Sequence, residues 1–242
     1  MRGVILAGGS GTRLRPITHY LNKHLFPVYN KPMILFPIET MKSIGIDEIL
    51  VITDRYSGNK LIEFLGSGID FGVSISYKFQ EHPDGIGSAI KLSQSFVGKE
   101  NAIIMLGDNI VFDDLNPFIK EFSKGCKIFL KKVQDPERFG VAKFDSGGNI
   151  IDIIEKPVHP PSEYAVTGIY IVDSSIYKKL ELCTPSSRGE LEVSDVLRYY
   201  IRENFLNYST LNKVWIDAGT FESLFEASQF VRNLELNKSY SD

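Results

Sequence analysis

The first hundred residues read as short apolar runs alternating with helical patterns. Val4–Leu6 runs directly into glycines, Glu48–Thr53 is almost wholly apolar, and Val73–Tyr77 alternates with period two. Asn101–Leu106 is apolar nearly throughout. An unbroken apolar run of this length suits a strand covered on both faces, and strict alternation suits one covered on a single face. Between these runs, Pro32–Ile44 predicts a helix closed by Gly45, with Pro37 confined to its first turn. Lys60–Leu65 and Ile86–Phe96 predict two more. The order β-α-β-α-β-α-β over residues 1–106 predicts a largely parallel sheet with right-handed crossovers.

The second half has a different texture. Lys127–Lys132, Val141–Phe144, Ile150–Ile154 and Ala165–Val172 read as strands joined by short Gly, Asp and Pro turns, Asp145–Asn149 being a hairpin connection. Helical patterns return at Ser174–Leu180, Val193–Glu203 and Phe221–Leu234. No repeat, low-complexity tract or Pro/Ser-rich linker divides the chain. The expectation is one mixed α/β domain over residues 1–242, with a nucleotide-binding half (about 1–110) and a sugar-binding half (about 111–242) sharing one sheet.

Composition narrows the function classes. Of 242 residues, 43% are hydrophobic and 24% charged, enough for a well-buried core. With 27 Lys and Arg against 30 Asp and Glu, the net charge is -3, which gives no electrostatic footprint for nucleic acid or an anionic membrane. The N-terminus lacks the shape of a signal peptide and no segment approaches a membrane span, so a soluble, cytoplasmic protein is expected. Cys126 and Cys183 read as reduced thiols. The four histidines show no zinc-binding spacing.

The strongest chemical signal is Leu6-Ala7-Gly8-Gly9-Ser10-Gly11-Thr12-Arg13-Leu14. Glycines let backbone approach a ligand, successive N–H groups form an anion-binding concavity, and Arg13 can add a bidentate contact to phosphate oxygens. Read alone, Gly-Gly-x-Gly is also ordinary punctuation after a strand. It is neither a Walker A loop nor the G-x-G-x-x-G dinucleotide fingerprint, which argues against a dehydrogenase. Lys23 and Lys31 follow on a proline-stiffened segment.

Together these residues resemble the sugar-phosphate nucleotidyltransferases, and among them the branch of glucose-1-phosphate thymidylyltransferases. The likeness is carried by Gly8–Pro16, Lys23, Pro27–Ile34, Gln80–Ile86, Leu106–Asn109, Glu155–Pro157, Thr167–Tyr170, Arg188–Asp195 and Trp215–Thr220, in that order. It implies a Rossmann-like nucleotidyltransferase fold, with a central mixed, mostly parallel sheet flanked by helices. It also implies Mg²⁺, a homo-oligomer, and in-line attack of a sugar 1-phosphate, glucose 1-phosphate foremost, on the α-phosphate of dTTP or UTP. The chain departs from the family in four places. The C-terminal region is shorter than in many thymidylyltransferases, where the extra segment contributes to an allosteric nucleotide site and subunit contacts. Ile86-Gly87-Ser88 replaces Leu-Ala-Gln, Ala218 replaces Thr, and Phe139 replaces a tyrosine.

Joining two phosphates requires charge neutralisation, in-line alignment and a stabilised pyrophosphate. Arg13, Lys23 and Lys156 are the expected catalytic cations, with Lys156 on the sugar phosphate. Asp108 and Asp217 are the expected Mg²⁺ ligands, since this ion takes one or two carboxylates and completes its shell with water and phosphate. The nucleotide site is expected from Leu6, Gly8, Gly9, Gly11, Thr12, Arg13, Gln80, Pro83, Gly85 and Asp108. Gln80 can both donate and accept, so it can pair with the N3–H and a carbonyl of thymine or uracil. The sugar phosphate is expected on Leu106, Gly140, Glu155, Lys156, Val166, Thr167, Gly168 and Trp215. No general base is needed, because a sugar phosphate is already ionised at neutral pH. The other readings are a uridylyltransferase acting on another sugar 1-phosphate and a non-catalytic nucleotide-sugar-binding subunit, the latter opposed by the intact set of charged groups. A glycosyltransferase is opposed by the missing Asp-x-Asp.

Overall fold

The structure, a computed structural model, describes residues 1–9 and 11–239; Ser10 of the glycine-rich loop lies outside them. In chain order the strands and helices are β1 (Arg2–Ala7), β2 (Pro27–Val28), β3 (Lys31–Pro32), α1 (Leu35–Ser43), β4 (Glu48–Asp54), α2 (Gly58–Leu65), β5 (Ser74–Gln80), α3 (Ile86–Leu92), α4 (Gln94–Val97), β6 (Ala102–Leu106) and β7 (Asn109–Val111). They continue with α5 (Asn116–Glu121), β8 (Cys126–Lys132), β9 (Gly140–Phe144), β10 (Ile150–Glu155), β11 (Tyr164–Val172), α6 (Ser175–Leu182), α7 (Val193–Arg202), β12 (Leu206–Thr210), β13 (Trp215–Asp217) and α8 (Phe221–Ser239).

Nine strands form one mixed sheet among the described residues. Its main path runs β10-β9-β11-β6-β1-β4-β5, with β8 on the other edge of β11 and β12 beyond it. The β6-β1-β4-β5 block is parallel, as the alternating pattern of the first half predicts. The turn to antiparallel pairing comes at β11. The unbroken apolar runs have a direct cause. In β1, Val4 and Leu6 pack into one core while Ile5 and Ala7 pack into another, and Leu50 and Ile52 alternate with Ile49 and Val51 in the same way. Residues of α3, α6 and α7 cover one face, and residues of α1 and α2 the other. A third core lies beneath α8, where Ala227 and Val231 meet Leu14, Val28, Met33 and Ala218.

Several predicted bounds move. The Pro32–Ile44 helix begins only at Leu35, because Lys31–Pro32 pairs with Pro27–Val28 in a small ribbon. Pro37 sits in the first turn, where its missing N–H costs nothing. The Ile86–Phe96 helix is two short helices meeting at Ser93, whose hydroxyl bonds Ile90 O at 2.6 Å.

Strand β11 changes partners part-way along. On one edge it pairs with β9 through Ala165 and with β6 from Ile169 onward. On the other edge it follows β8, but the register slips between Val166 and Tyr170. The slack is taken up by Thr167, whose hydroxyl donates to Phe129 O at 3.0 Å, and by Gly168, whose N–H donates to Asn109 Oδ1 at 2.9 Å. A side chain at 168 has no room, since its Cβ would lie 2.5 Å from Leu106. A cleft opens here, past the carboxyl end of β6, where open α/β sheets place their ligands.

Candidate active site

Four parallel strands deliver polar groups at their carboxyl ends: β1 leads into Gly8, β4 ends at Asp54, β5 at Gln80, and β6 leads into Asp108. Between them lies a cavity of about 280 Å³ lined by Leu6, Gly8, Gly9, Lys23, Gln80, Pro83, Gly85, Leu106, Asp108 and neighbours. Gly9 and Gly11 take positive φ, and Gly11 precedes the 3-10 turn Thr12–Leu14. A Cβ on Gly8 would come within 3.3 Å of Gln80 Oε1, so this glycine leaves the amide exposed to the cavity. The Gln80 nitrogen is already engaged: it donates to Asp84 Oδ1 at 2.6 Å and to Gly85 O at 3.1 Å.

A second cavity, of about 510 Å³, occupies the cleft beside β11. Arg13, Leu106, Asp108, Arg138, Phe139, Gly140, Glu155, Lys156, Val166, Gly168, Trp215 and Asp217 are among its walls. Leu106, Asp108 and Ile86 border both cavities. The two spaces therefore meet at the end of β6.

Asp108 and Asp217 come together through a two-stranded ladder. Strands β7 and β13 pair Asn109 with Asp217, and Ala218 N–H donates to Asp108 O at 2.9 Å. Asn109 fixes this ladder to its surroundings: its Oδ1 accepts from Gly168 N–H and from Trp215 Nε1–H at 2.7 Å, and its Nδ2 donates to Asp108 Oδ1 at 3.2 Å. The two carboxylates differ sharply. Burial alone would raise Asp108, but the Lys23 ammonium, 2.5 Å away and aided by hydrogen bonds, holds it well below the usual carboxylate range. Asp217 is buried too, and the charge of Asp108 adds to burial, so its carboxyl is pushed up to about 6. Arg13, 3.9 Å from it, only partly offsets this.

His24 packs against Gly107, next to Asp108. Burial, then the charge of Lys23, lowers its pKa to about 3. Its Nδ1 and its backbone N–H both meet Asn22 Oδ1, at 2.8 and 2.9 Å, which makes Nδ1 the protonated nitrogen. Asn22 is itself oriented by Ser57, and Ser57 by Asp54.

On the wall of the larger cavity, Lys156 has φ 43°, a left-handed conformation that is costly for a residue with a side chain. Its N–H donates to Phe139 O at 2.9 Å, and its ammonium lies 3.9 Å from Glu155. Burial raises the Glu155 carboxyl, opposed by Lys156 and Arg188 and reinforced by Glu192. Arg188 reaches in from the loop after α6, to 2.8 Å from Glu192 and 3.6 Å from Glu155. It lies in the Arg188–Asp195 stretch, but an arginine in a polar loop carries no sign of where it points. Arg138 Nη2 is buried on the wall of the same cavity without a hydrogen-bond partner among the described residues.

Three expected residues stand apart. Thr167 spends its hydroxyl on Phe129 O, away from the cleft, because the register slip turns it inward. Thr12 borders neither cavity, and Gly11 lines a third space of about 360 Å³ behind the loop. Among the described residues no group of three or more His, Cys, Asp or Glu is disposed to hold a metal ion. Cys126 and Cys183 are both free. No helix among the described residues is long and apolar enough to cross a membrane.

Residues 2–233 match the family model described as nucleotidyl transferase. A glucose-1-phosphate thymidylyltransferase of Neisseria meningitidis is 42% identical over 241 residues, covering 97% of this chain and 84% of the relative. One from Mycolicibacterium smegmatis is 40% identical over 243 residues, covering 98% and 84%. A Bacillus anthracis structure, assigned as a glucose-1-phosphate thymidylyltransferase and solved with sucrose, superposes with TM-score 0.91 at 44% identity, covering 96% of this chain and 95% of that one. A UDP-glucose pyrophosphorylase solved with UDP-glucose shares the fold, with TM-score 0.85 at 23% identity and coverage of 96% and 98%.

Proposed function

The chain belongs to the nucleotidyl transferase family, and on that premise we propose that it joins the nucleotidyl group of dTTP to glucose 1-phosphate, releasing pyrophosphate. The observation that carries this reading is the Asp108–Asp217 pair, with Asp108 bordering both cavities and Asp217 the larger one. One cavity has a glycine-lined floor and a pyrimidine-sized amide partner. The other carries Lys156, Glu155 and the neighbouring Arg188. We assign residues 1–110 mainly to the nucleotide and 111–242 mainly to the sugar, working as one unit because one sheet runs through both.

Asp108 has a close ammonium in Lys23, whereas Arg13 stands 3.9 Å from Asp217, and burial together with the charge of Asp108 leaves Asp217 with a raised proton affinity. That donor set fits Mg²⁺, whose remaining ligands come from phosphate and water. When bound, the ion supplies charge neutralisation at the α-phosphate. The protein's own groups do the rest. Lys23 uses one N–H on Asp108 and keeps two for phosphate oxygens. Arg13, half exposed at the mouth of the cleft, meets the departing pyrophosphate charge. Lys156 and Glu155 hold the sugar phosphate and sugar hydroxyls so that a phosphate oxygen faces the α-phosphorus. The new P–O bond forms as the bond to pyrophosphate breaks, and no proton is moved.

Under this reading the enzyme works in the cytoplasm, where nucleoside triphosphates are held, and self-associates, which light scattering tests. The deciding assay is pyrophosphate release with Mg²⁺, using dTTP, UTP, CTP, GTP and ATP against a panel of sugar 1-phosphates. Release that requires both dTTP and glucose 1-phosphate supports the proposal. Folded protein that binds nucleotide yet releases nothing across the panel overturns it.

A further inference from the structure

The Gln80 side chain is not free to choose which end of its amide it shows. Both hydrogens of its NH₂ are spent inside the protein, on Asp84 Oδ1 and Gly85 O. A primary amide has two donors and one acceptor oxygen, so only Oε1 is left, and none of the described residues donates to it. That oxygen faces the space over Gly8, where any Cβ would touch it. Turning the amide over would break two hydrogen bonds and set Oε1 against a carboxylate oxygen.

Asp84 is itself held from the other half of the chain. Its carbonyl accepts from Leu191 N–H at 2.7 Å and from the Ser88 hydroxyl at 3.2 Å. Gly87 N–H returns a bond to Leu191 O at 2.8 Å. A Cβ on Gly85 would lie 2.7 Å from both Leu191 N and O, so the turn is pressed flat against that segment. The carboxylate that grips Gln80 therefore has a fixed origin.

The geometry points to Asp84 as a positioning residue that sets pyrimidine specificity: it locks Gln80 so that this side chain offers the base an acceptor alone. This inference rests on the proposal that the base of the nucleoside triphosphate occupies this cavity. Thymine and uracil carry a donor at N3 and satisfy Oε1. Cytosine carries a lone pair at N3 and opposes it. Asp84 touches no substrate; it acts through Gln80.

The experiment compares kcat/KM for dTTP and CTP, at saturating glucose 1-phosphate, in the wild type and in Asp84→Asn, Asp84→Ala and Asp84→Glu. Asparagine donates as readily as it accepts, so it lets the amide turn. Losing a hydrogen bond to a charged group is expected to narrow the dTTP:CTP ratio by about tenfold in the Asn and Ala variants. Asp84→Glu, which keeps a carboxylate, retains more of the ratio. A merely structural role lowers both nucleotides together and leaves the ratio alone, and that result overturns the inference. The wild type supplies an independent arm that needs neither a variant nor turnover. Calorimetric titration with dTTP and with N3-methyl-dTTP is expected to show at least about tenfold weaker binding of the methylated base, which has no N3–H to give. Equal binding overturns the inference as well. Absence of turnover with every nucleotide counts against the transferase reading instead, and the titration still decides this one.

Discussion

In the proposed function, the two halves of the site would grip their ligands by different means. On the nucleotide side the contacts are backbone and pre-paired polar groups: a glycine loop, an amide with both hydrogens committed, and a lysine already bonded to Asp108. On the sugar side they are long charged side chains, Lys156 and Arg188, held at 3.9 and 3.6 Å from Glu155 across a strand end and a loop. The first arrangement is stiff and discriminates by polarity. The second can shift by an ångström without losing its charge balance. Nucleotide choice should therefore be the sharper of the two, and sugar choice the more easily altered.

The comparison is tested most severely where the halves meet. Asp108→Asn and Asp217→Asn are each expected to lower turnover by about 100-fold or more, since each removes charge aimed at the reacting phosphate. Their effects on stability should diverge. Asp108→Asn leaves Lys23 without its partner and should cost about 3 kcal/mol, read from denaturant unfolding. Equal losses of stability in the two variants would erase the distinction between the carboxylates.

The next effect separates the halves. Lys156→Ala should lower kcat/KM for the sugar phosphate by about 100-fold with little change in KM for the nucleotide, because the lost contact belongs to one ligand. Parallel changes in both constants would show that Lys156 serves the whole site. Gly8→Ala is the mirror test and a milder one. Its Cβ would crowd Gln80 Oε1 at 3.3 Å, so KM for the nucleotide should rise several-fold, about 1 kcal/mol, while the sugar phosphate is unaffected.

The smallest effect is a shift in melting temperature. Asp217 binds its proton more tightly folded, to about pH 6, than its ordinary value of 3.8 allows once unfolded. The unfolded chain thus releases the proton first, and wild-type stability falls as pH rises from about 4 to about 6. Asp217→Asn lacks that penalty. In metal-free buffer it should melt a few degrees above wild type at pH 7.5, with the gap closing towards pH 4. A lower melting temperature at pH 7.5 would contradict the origin assigned to the raised carboxyl.

Periodicity made the central strands legible because both their faces are buried, as Ile5 and Leu6 in separate cores show. It missed β7 as a strand. The β7–β13 ladder joins three-residue strands more than a hundred positions apart, too short for a period to register. The charged residues at the junction could be named from chemistry and resemblance, and Asp108 and Asp217 do share a cavity wall. What could not be read was direction. Thr167 lies in the right stretch but faces the sheet, Arg188 comes in from a loop with no pattern of its own, and the commitment of the Gln80 amide depends on a turn braced by Leu191.

The slip in β11 has arithmetic of its own. From Val166 to Tyr170 the strand advances four residues while its partner β8 goes from Leu130 to Ile128, only two. The surplus is even. Val166 and Tyr170 therefore keep to the same side, in the same core as Leu130 and Ile128. An odd surplus would have turned one half of the strand inside out. The strand thus tolerates an even surplus here without change of face, and a single insertion between 166 and 170 that no bulge absorbed would exchange one core for the other along Ile169–Val172.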